Sequence, residues 1–257
     1  MFNKDTFRLI RKSFNRFLSL FMIVLVSSSF MMGLFSNGTI LRESMDIYND
    51  DLNLQDIQIY SSYGFCDEDV TALRSNEDID RVFPSKMVDA YGISSDVNSV
   101  YRLEEINRDV NQIELVEGRM PQRENEALIL GDGIESAAVM IGRRVRVYLN
   151  DKDIKDYLKN DRFLIVGTCK SPAYTSKIMG SSNCDNQDLT HILFIPNENF
   201  VFDYYTTIYL TLKGADQPIS YTADYHDFID SRIGSVESTK NHQQAYLRDI
   251  IAIFAQK

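Results

Sequence analysis

The apolar residues divide the chain into one long run near the start and many short segments after it. From Phe17 to Leu41 there is no Asp, Glu, Lys, Arg or His, and Phe17 to Phe35 spans 19 residues. As a helix these would be about 28 Å long at 1.5 Å per residue, close to the roughly 30 Å apolar core of a bilayer. The serines at 27–29 are compatible with a span, because their hydroxyls can bond to backbone carbonyls or lie at a helix contact. The run predicts a transmembrane helix over 17–36.

The charges on the two sides of this run differ in sign. Residues 1–16 contain five Lys or Arg and one Asp, while the whole chain has a net charge of −10, so the remainder carries −14. Excess Lys and Arg marks the cytoplasmic side of a membrane helix. We therefore expect residues 1–16 in the cytoplasm, where they also fit a short membrane-surface helix, and the acidic body outside.

Two other interpretations of the run stay open. A cleaved secretory signal would use Phe17–Val26 as its apolar region and the serines as the cleavage zone, but the apolar run resumes after them. A buried helix of a soluble protein would not need the basic flank.

The body after Leu41 predicts many strands and few helices, the pattern of an α+β domain. An acidic first turn predicts a helix over 67–74, and 220–228 has helical spacing. Near the end, Tyr246, Leu247, Ile250, Ile251 and Phe254 also fall at helical spacing. Alternation and β-branched or aromatic enrichment predict strands at 52–59 (with a bulge near 55–56), 82–83, 87–93, 97–103, 113–116, 128–130, 145–149, 163–166, 191–195 and 206–212.

Composition excludes several classes. With 257 residues and 44% hydrophobic content the chain can form one good core or two small ones, and it is too apolar for a disordered tail. Three cysteines are too few for a disulfide scaffold. The negative charge argues against nucleic acid as a partner.

No residue pattern predicts catalysis. The three histidines have no metal-ligand spacing, with His191 expected half-buried in a strand and His226 and His242 at the surface. No nucleophile elbow or phosphate-binding loop occurs, residues 67–69 are better explained as a helix N-terminus, and residues 185–188 lack the glycine and glutamate of a calcium loop. We therefore expect no enzyme activity, no catalytic residue, no metal and no cofactor, with any ATP on a separate subunit.

Cys169 and Cys184 flank one loop and could form a disulfide, although sequence cannot judge the geometry. The loop from Ser171 to Asp188 could carry a function or be a mobile connection.

Five segments in the middle of the chain resemble those of FtsX-like (MacB-type) ABC transporter permeases. The motif positions are Gly118, Arg119, Pro121, Gly142, Gly167 and Pro172. Arg143 stands where the family has Asp. From the residues alone the glycines are turn and strand-end positions, and Arg119 is exposed. In chain order the similar segments are QIELVEGRMP (112–121), EALIL (126–130), IGRRV (141–145), FLIVGT (163–168) and SPAY (171–174).

The resemblance implies a bacterial cell-membrane protein whose extracytoplasmic core domain follows the first membrane helix. It implies other permease helices and a cytoplasmic ATPase as partners, and a role in coupling that ATPase to substrate export or to an external partner. The later helices of the family are missing from this sequence, so a truncated or split permease is expected. The alternatives are a stand-alone anchored or secreted binding or adhesion module, and an extracytoplasmic hydrolase.

The expected organisation is a basic segment (1–16), a membrane helix (17–36), a linker (37–50), a two-lobed, strand-rich core domain (51–230) and the start of a C-terminal helix or stalk (231–257). Within the core domain we expect a strand-rich lobe over 115–215, inserted into an α/β lobe built from 50–114 and 216–230.

Overall fold

The computed structural model describes residues 14–94, 97–131, 140–175, 182–184, 187–215, 222–241 and 251–255. It contains two compact units, Met1–Ile47 and Tyr48–Lys257. The motif positions and the two cysteines of the sequence analysis all lie among the described residues, whereas His242, Tyr246, Leu247 and Ile250 lie outside them.

The first unit is built on α1 (Phe14–Asp51), one unbroken helix of 38 residues whose last four residues belong to the second unit. Its large apolar side chains from Phe17 to Phe35 are exposed, and the helix is long and apolar enough to cross a membrane. The Ser28 hydroxyl donates to the Leu25 carbonyl at 3.1 Å, which satisfies this polar group within the helix. Residues 37–50, expected as a linker, continue the same helix.

The second unit combines eleven strands with two helices among its described residues. In chain order these are β1 (Ile57–Phe65), α2 (Asp67–Arg74), β2 (Ile79–Ser85), β3 (Met87–Ser94), β4 (Val97–Glu105), β5 (Glu114–Gly118), β6 (Glu126–Leu130), β7 (Arg144–Tyr148), β8 (Arg162–Lys170), β9 (His191–Ile195), β10 (Tyr205–Leu212), α3 (Ala223–Asn241) and β11 (Ile251–Ala255). The α+β class is therefore confirmed.

A four-stranded antiparallel sheet in the order β11-β1-β10-β2 forms the α/β lobe. One face is apolar, since alternate residues of a strand share a face, and it packs against α2 and α3. α2 begins at the acidic turn that predicted it, where the Asp69 carboxylate accepts the Cys66 N–H at 2.9 Å. The core of this lobe contains Ile57, Ile59, Val70, Leu73, Ile208, Leu210, Tyr225 and Ile229.

The second sheet forms the strand-rich lobe and closes on itself. Its order is β5-β8-β6-β9-β4-β3-β7, and β7 also pairs with β8, so six strands make a closed barrel with β5 alongside. Alternation along each strand fills the interior with apolar side chains. These inward residues include Val88, Ala90, Tyr101, Leu103, Ala127, Ile129, Val145, Val147, Phe163, Ile165, Leu193 and Ile195.

The lobe boundaries differ from the expected ones. Strands β3 and β4 lie in the barrel rather than in the α/β lobe, and β10 lies in the α/β sheet rather than in the strand-rich lobe. The exchange arises because each strand pairs with distant segments, as when β2 pairs with β10. Nothing in the local pattern of a strand specifies such a partner.

Three local predictions were wrong. Leu52 and Leu54 precede the first strand, which begins at Ile57, and the irregularity of β1 lies between Tyr60 and Phe65 rather than near 55–56. Ile251 and Phe254 lie in β11, not in a helix. Their apolar run is short enough to suit either structure, and pairing with β1 selects the strand.

Filling the space at Gly92 should destabilise the barrel. A Cβ atom there would lie 2.4 Å from the Tyr101 ring and 3.2 Å from Val145. We expect Gly92→Ala to lower the free energy of unfolding by about 1–3 kcal/mol, as overpacked cores do. Urea unfolding of the detergent-solubilised chain, followed by tyrosine fluorescence because the chain has no Trp, measures this.

The matched control is Gly234→Ala in α3, where nothing lies within 4 Å of the added atom. It should be neutral or stabilising by up to about 1 kcal/mol. Equal stability of the two variants would contradict the packing described for Gly92.

Candidate functional site

The five segments that resemble the permease family meet at one strand. β8 contains 163–168 and pairs along one edge with β6, which is 126–130. Along its other edge it pairs with β5, which lies within the segment 112–121, and with β7, which follows the turn at 141–143. The segment 171–174 leaves the end of β8 directly. The resemblance therefore covers one strand and its immediate neighbours, a single structural module.

Gly118 and Gly167 are required where β5 crosses β8. Gly118 has a φ of +85°, and a Cβ atom on it would lie 2.3 Å from the Val166 carbonyl oxygen. A Cβ atom on Gly167 would lie 2.6 Å from the Glu117 carbonyl oxygen. Only residues without a side chain allow the two backbones to approach this closely.

Gly142 has a simpler role. Its φ is +84°, its N–H donates to the Ile165 carbonyl at 2.8 Å, and a Cβ atom would meet nothing within 4 Å. The residue therefore serves the backbone of the turn, as the sequence indicated.

Arg119 holds the loop that contains Pro121 against β6. Its guanidinium donates to both carboxylate oxygens of Glu126 at 2.7 Å, and the Gln122 N–H donates to the same carboxylate at 2.9 Å. The Arg119 hydrogen bonds, then that of Gln122, lower the Glu126 pKa to about 2. Arg119 is exposed, as predicted, but its guanidinium is also bound to a buried carboxylate, which was not predicted.

Pro172 begins a short 3₁₀ helix, Pro172–Tyr174, and is itself buried. This helix places the Tyr174 hydroxyl where it donates to the carboxylate of Glu104 on β4. Burial raises the pKa of Glu104, although the nearby Arg102 opposes this shift.

A buried polar cluster occupies the contact between the two lobes. Arg102 on β4 donates to both carboxylate oxygens of Asp89 on β3, at 2.7 and 2.9 Å, and the Asp89 side chain is 1% exposed. Tyr209, on the α/β sheet, is also buried. Its burial, and then the nearby negative charge of Glu104, raise the pKa of Tyr209. The ion pair of Asp89 and the hydrogen bond from Tyr174 to Glu104 both lie within the barrel lobe, and breaking either of them would leave a buried charged group without its partner.

Beside this cluster lies a groove of about 480 Å³ that we take as the candidate functional site. The Asn183 N–H donates to the Asp89 carboxylate at 2.9 Å, and its side-chain amide donates to the Tyr60 hydroxyl, which links the two lobes across the groove. Its lining includes tyrosines from both lobes, Tyr60, Tyr91, Tyr157 and Tyr204.

Two of the groove tyrosines stack on neighbouring aromatic rings. Tyr91 stacks on Tyr148 with ring centres 5.7 Å apart, and Tyr204 stacks on Phe202 at 4.5 Å. Rigid tyrosines offer a large contact area with little loss of conformational entropy, so they suit recognition of a partner. Sequence reasoning missed them, since four separate segments contribute one residue each and no spacing connects them.

The cysteines and histidines have structural positions. Cys169 packs beside Leu128 and Ile192 while Cys184 packs beside Val100 and Leu189, and the two are not joined by a disulfide. The suggested pairing is therefore absent from the structure. Each side chain lies in a different apolar cluster.

His191 is partly buried in β9, as predicted, with its ring 4.9 Å from that of Tyr101, and burial lowers its pKa. His226 is exposed on α3. Among the described residues, no group of three or more His, Cys, Asp or Glu side chains is arranged to hold a metal ion.

No family model matches the chain, and no curated protein matches it. Several solved structures are similar to it, including the following two. One is the extracellular domain of the noncanonic ABC-type transporter YknZ from Gram-positive bacteria, with 13% identity, a TM-score of 0.36, and coverage of 69% of this chain and 94% of that one. The other is the periplasmic region of MacB from Actinobacillus actinomycetemcomitans, with 11% identity, a TM-score of 0.40, and coverage of 81% and 92%. The first of these regions is extracellular and the second is periplasmic.

Removing the Arg119–Glu126 pair should make the free energy of unfolding depend less on pH under acidic conditions. The Glu126 pKa is lowered in the folded chain, so its contribution is complete above its ordinary value near 4.5 and is lost as the pH falls toward about 2. We expect the stability difference between the wild type and Arg119→Met to be constant above about pH 5 and to shrink below it.

The control is Arg146→Met, which breaks the exposed pair of Arg146 with Asp161 at 3.4 Å. Exposed ion pairs contribute little to stability. The unfolding free energy of this variant, measured by urea unfolding from pH 6 to 2.5, should therefore stay close to that of the wild type. A difference between the wild type and Arg119→Met that does not depend on pH would argue against the ion pair.

Removing the Tyr174 hydroxyl should weaken the contact that holds the loop after β8. Tyr174→Phe leaves the buried Glu104 carboxyl without this donor. We expect a loss of about 1–3 kcal/mol in unfolding free energy. Tyr63→Phe, at a side chain that is 69% exposed, should have no measurable effect in the same assay. A Tyr174→Phe variant as stable as wild type would show that the bond has no net value.

Proposed function

We propose that this chain is a component of an FtsX-like (MacB-type) ABC transporter permease. Its α1 is the first membrane helix, with the basic residues in the cytoplasm, and its second unit is the extracytoplasmic core domain. ATP is hydrolysed by a separate cytoplasmic subunit. The observation that carries this proposal is the assembly of all five family-like segments around β8.

The continuity of α1 supports a coupling role. The helix has no break between the apolar run and Asp51, and the residues after it form backbone hydrogen bonds with the segment before β5. The Gln112 N–H donates to the Leu52 carbonyl at 2.9 Å, and the Asn111 N–H donates to the Asn53 carbonyl at 3.0 Å. A displacement of the membrane helix would therefore be passed to the module that holds β5 and β8.

The inter-lobe groove is the surface we assign to the substrate or external partner. A change in how the lobes meet would alter the distance between Tyr60 on one lobe and Tyr91 on the other. Coupling and binding would thus share the buried cluster of Asp89, Arg102 and Glu104. The protein moves or activates its target by motion and contributes no catalytic group.

Labelling of Cys66 tests the orientation. Cys66 is exposed whereas Cys169 and Cys184 are buried, so a membrane-impermeant maleimide should react with Cys66 in intact cells. Its pKa is raised, chiefly by the hydrogen bond with Glu68, so the labelling should be done above pH 8.

The control is the double variant Cys66→Ser with Thr6→Cys, which moves the reporter to the basic segment. We expect it to react only after the cells are lysed. Protection of wild-type Cys66 in intact cells, with labelling of the control, would reverse the orientation and reject the proposal.

Co-isolation tests the permease assignment. The tagged chain, taken from its native membrane in mild detergent, should retain a subunit that binds ATP and hydrolyses it. A control in which residues 1–36 are replaced by an unrelated membrane helix should lose that subunit. Absence of any ATPase from the wild-type complex would favour a stand-alone binding module.

A further inference from the structure

A second pocket, of about 230 Å³, lies on the outer surface of the barrel, and it shares no lining residue with the groove. Three arginines line it, Arg123 from the loop before β6, Arg144 on β7 and Arg162 on β8. Asn125, Glu126 and Leu164 complete the lining. A concentration of cations here is unexpected in a chain with a net charge of −10.

The register of β7 and β8 brings Arg144 and Arg162 to the same face of the barrel wall. Arg144 lies opposite Leu164, and Arg146 lies opposite Arg162 in the antiparallel pair. The neighbours Val145 and Phe163 point into the barrel core, so Arg144, Arg146 and Arg162 share the outer face. Like charges directly opposite each other across strands are destabilising.

The nearby carboxylates do not neutralise this pocket. Both oxygens of Glu126 accept from Arg119, and Asp161 pairs with Arg146 at the surface. Among the described residues, Arg123, Arg144 and Arg162 form no ion pair. Three guanidinium groups are thus available to an anion from outside the chain.

We propose that this arginine pocket binds a phosphate group. A guanidinium presents a planar pair of donors that matches phosphate or carboxylate oxygens. One carboxylate has two oxygens and one charge, enough for one arginine, whereas inorganic phosphate or a phosphomonoester has more oxygens and up to two charges to share among three. A phosphodiester, with two free oxygens and one charge, should bind more weakly than these. The volume lies below the roughly 300–1,000 Å³ typical of pockets that enclose a whole ligand, so the pocket recognises the group and leaves the rest of the molecule outside.

A phosphate group could belong to a soluble compound or to a phosphodiester such as a lipid headgroup. The binding is independent of the permease assignment, because it needs neither the ATPase nor a partner chain.

Isothermal titration of the full chain in a maltoside detergent tests the pocket directly. The probes are inorganic phosphate and glycerol 3-phosphate for the soluble source, and glycerophosphoglycerol, the deacylated headgroup of phosphatidylglycerol, for the diester. Saturable binding of any of them supports the pocket, and the tightest identifies the source. Acetate should bind about tenfold more weakly or not at all, since it engages one guanidinium.

The test variant is Arg144→Gln with Arg162→Gln, which should weaken phosphate binding about tenfold or more. Arg123→Gln should also weaken phosphate binding. Because Arg123 lies on a loop outside the barrel strands, this variant tests the pocket even if the double variant does not fold. The matched control, Arg146→Gln, removes a neighbouring arginine that is paired with Asp161 and does not line the pocket. It should change the affinity less than threefold.

Three results would each overturn the proposal. The first is no saturable binding of any phosphate compound up to about 10 mM, a concentration well above that of a weak millimolar site. The second is an equal loss of affinity in Arg146→Gln and in the double variant, which would indicate general charge attraction. The third is acetate binding as tight as that of phosphate.

Discussion

Closure of the barrel through β8 is the constraint on which the rest of the structure depends. This strand bonds to β6 on one edge and divides its other edge between β7 and β5. Three neighbours around one strand leave little room for side chains, which explains glycine at 118 and 167. The same arrangement brings the Arg119 loop onto β6, where Glu126 receives it. A chain without this shared strand would have a barrel with an open seam.

The contact between the lobes is polar, although each lobe has its own apolar core. Asp89, Arg102 and Glu104 form a buried cluster that is satisfied only when the loop residues Tyr174 and Asn183 are in place. An apolar contact would tolerate many relative positions of the lobes, whereas a directional bond between them, such as that from the Asn183 amide to the Tyr60 hydroxyl, favours one. The tyrosine-lined groove is a consequence of that position, because its walls come from both lobes.

Local signals were reliable where a local cause acts. The apolar run identified α1, the acidic turn at 67–69 identified α2, and alternation located the barrel strands, since each pattern reflects the face that a residue must bury. Leu52 and Leu54 were wrongly assigned to a strand, because two alternating apolar residues can also follow the end of a helix. The ion pair of Arg119 was not predicted, because nothing in the sequence marks Glu126 as its partner beyond being acidic. Ile251 was assigned to a helix because its apolar run is too short to distinguish a strand from a helix.

The sequence alone determined the long apolar helix, the sign of the charge on each side of it, and the α+β class, because length, charge and periodicity act within a few turns of the chain. Tertiary structure alone decided which strands pair, which lobe holds β3, β4 and β10, that Cys169 and Cys184 stay apart, and where tyrosines and arginines gather. These outcomes depend on pairing between segments such as β4 and β9, which lie about ninety residues apart. Pairing energy at that separation depends on the packing of the whole domain, which no local pattern encodes.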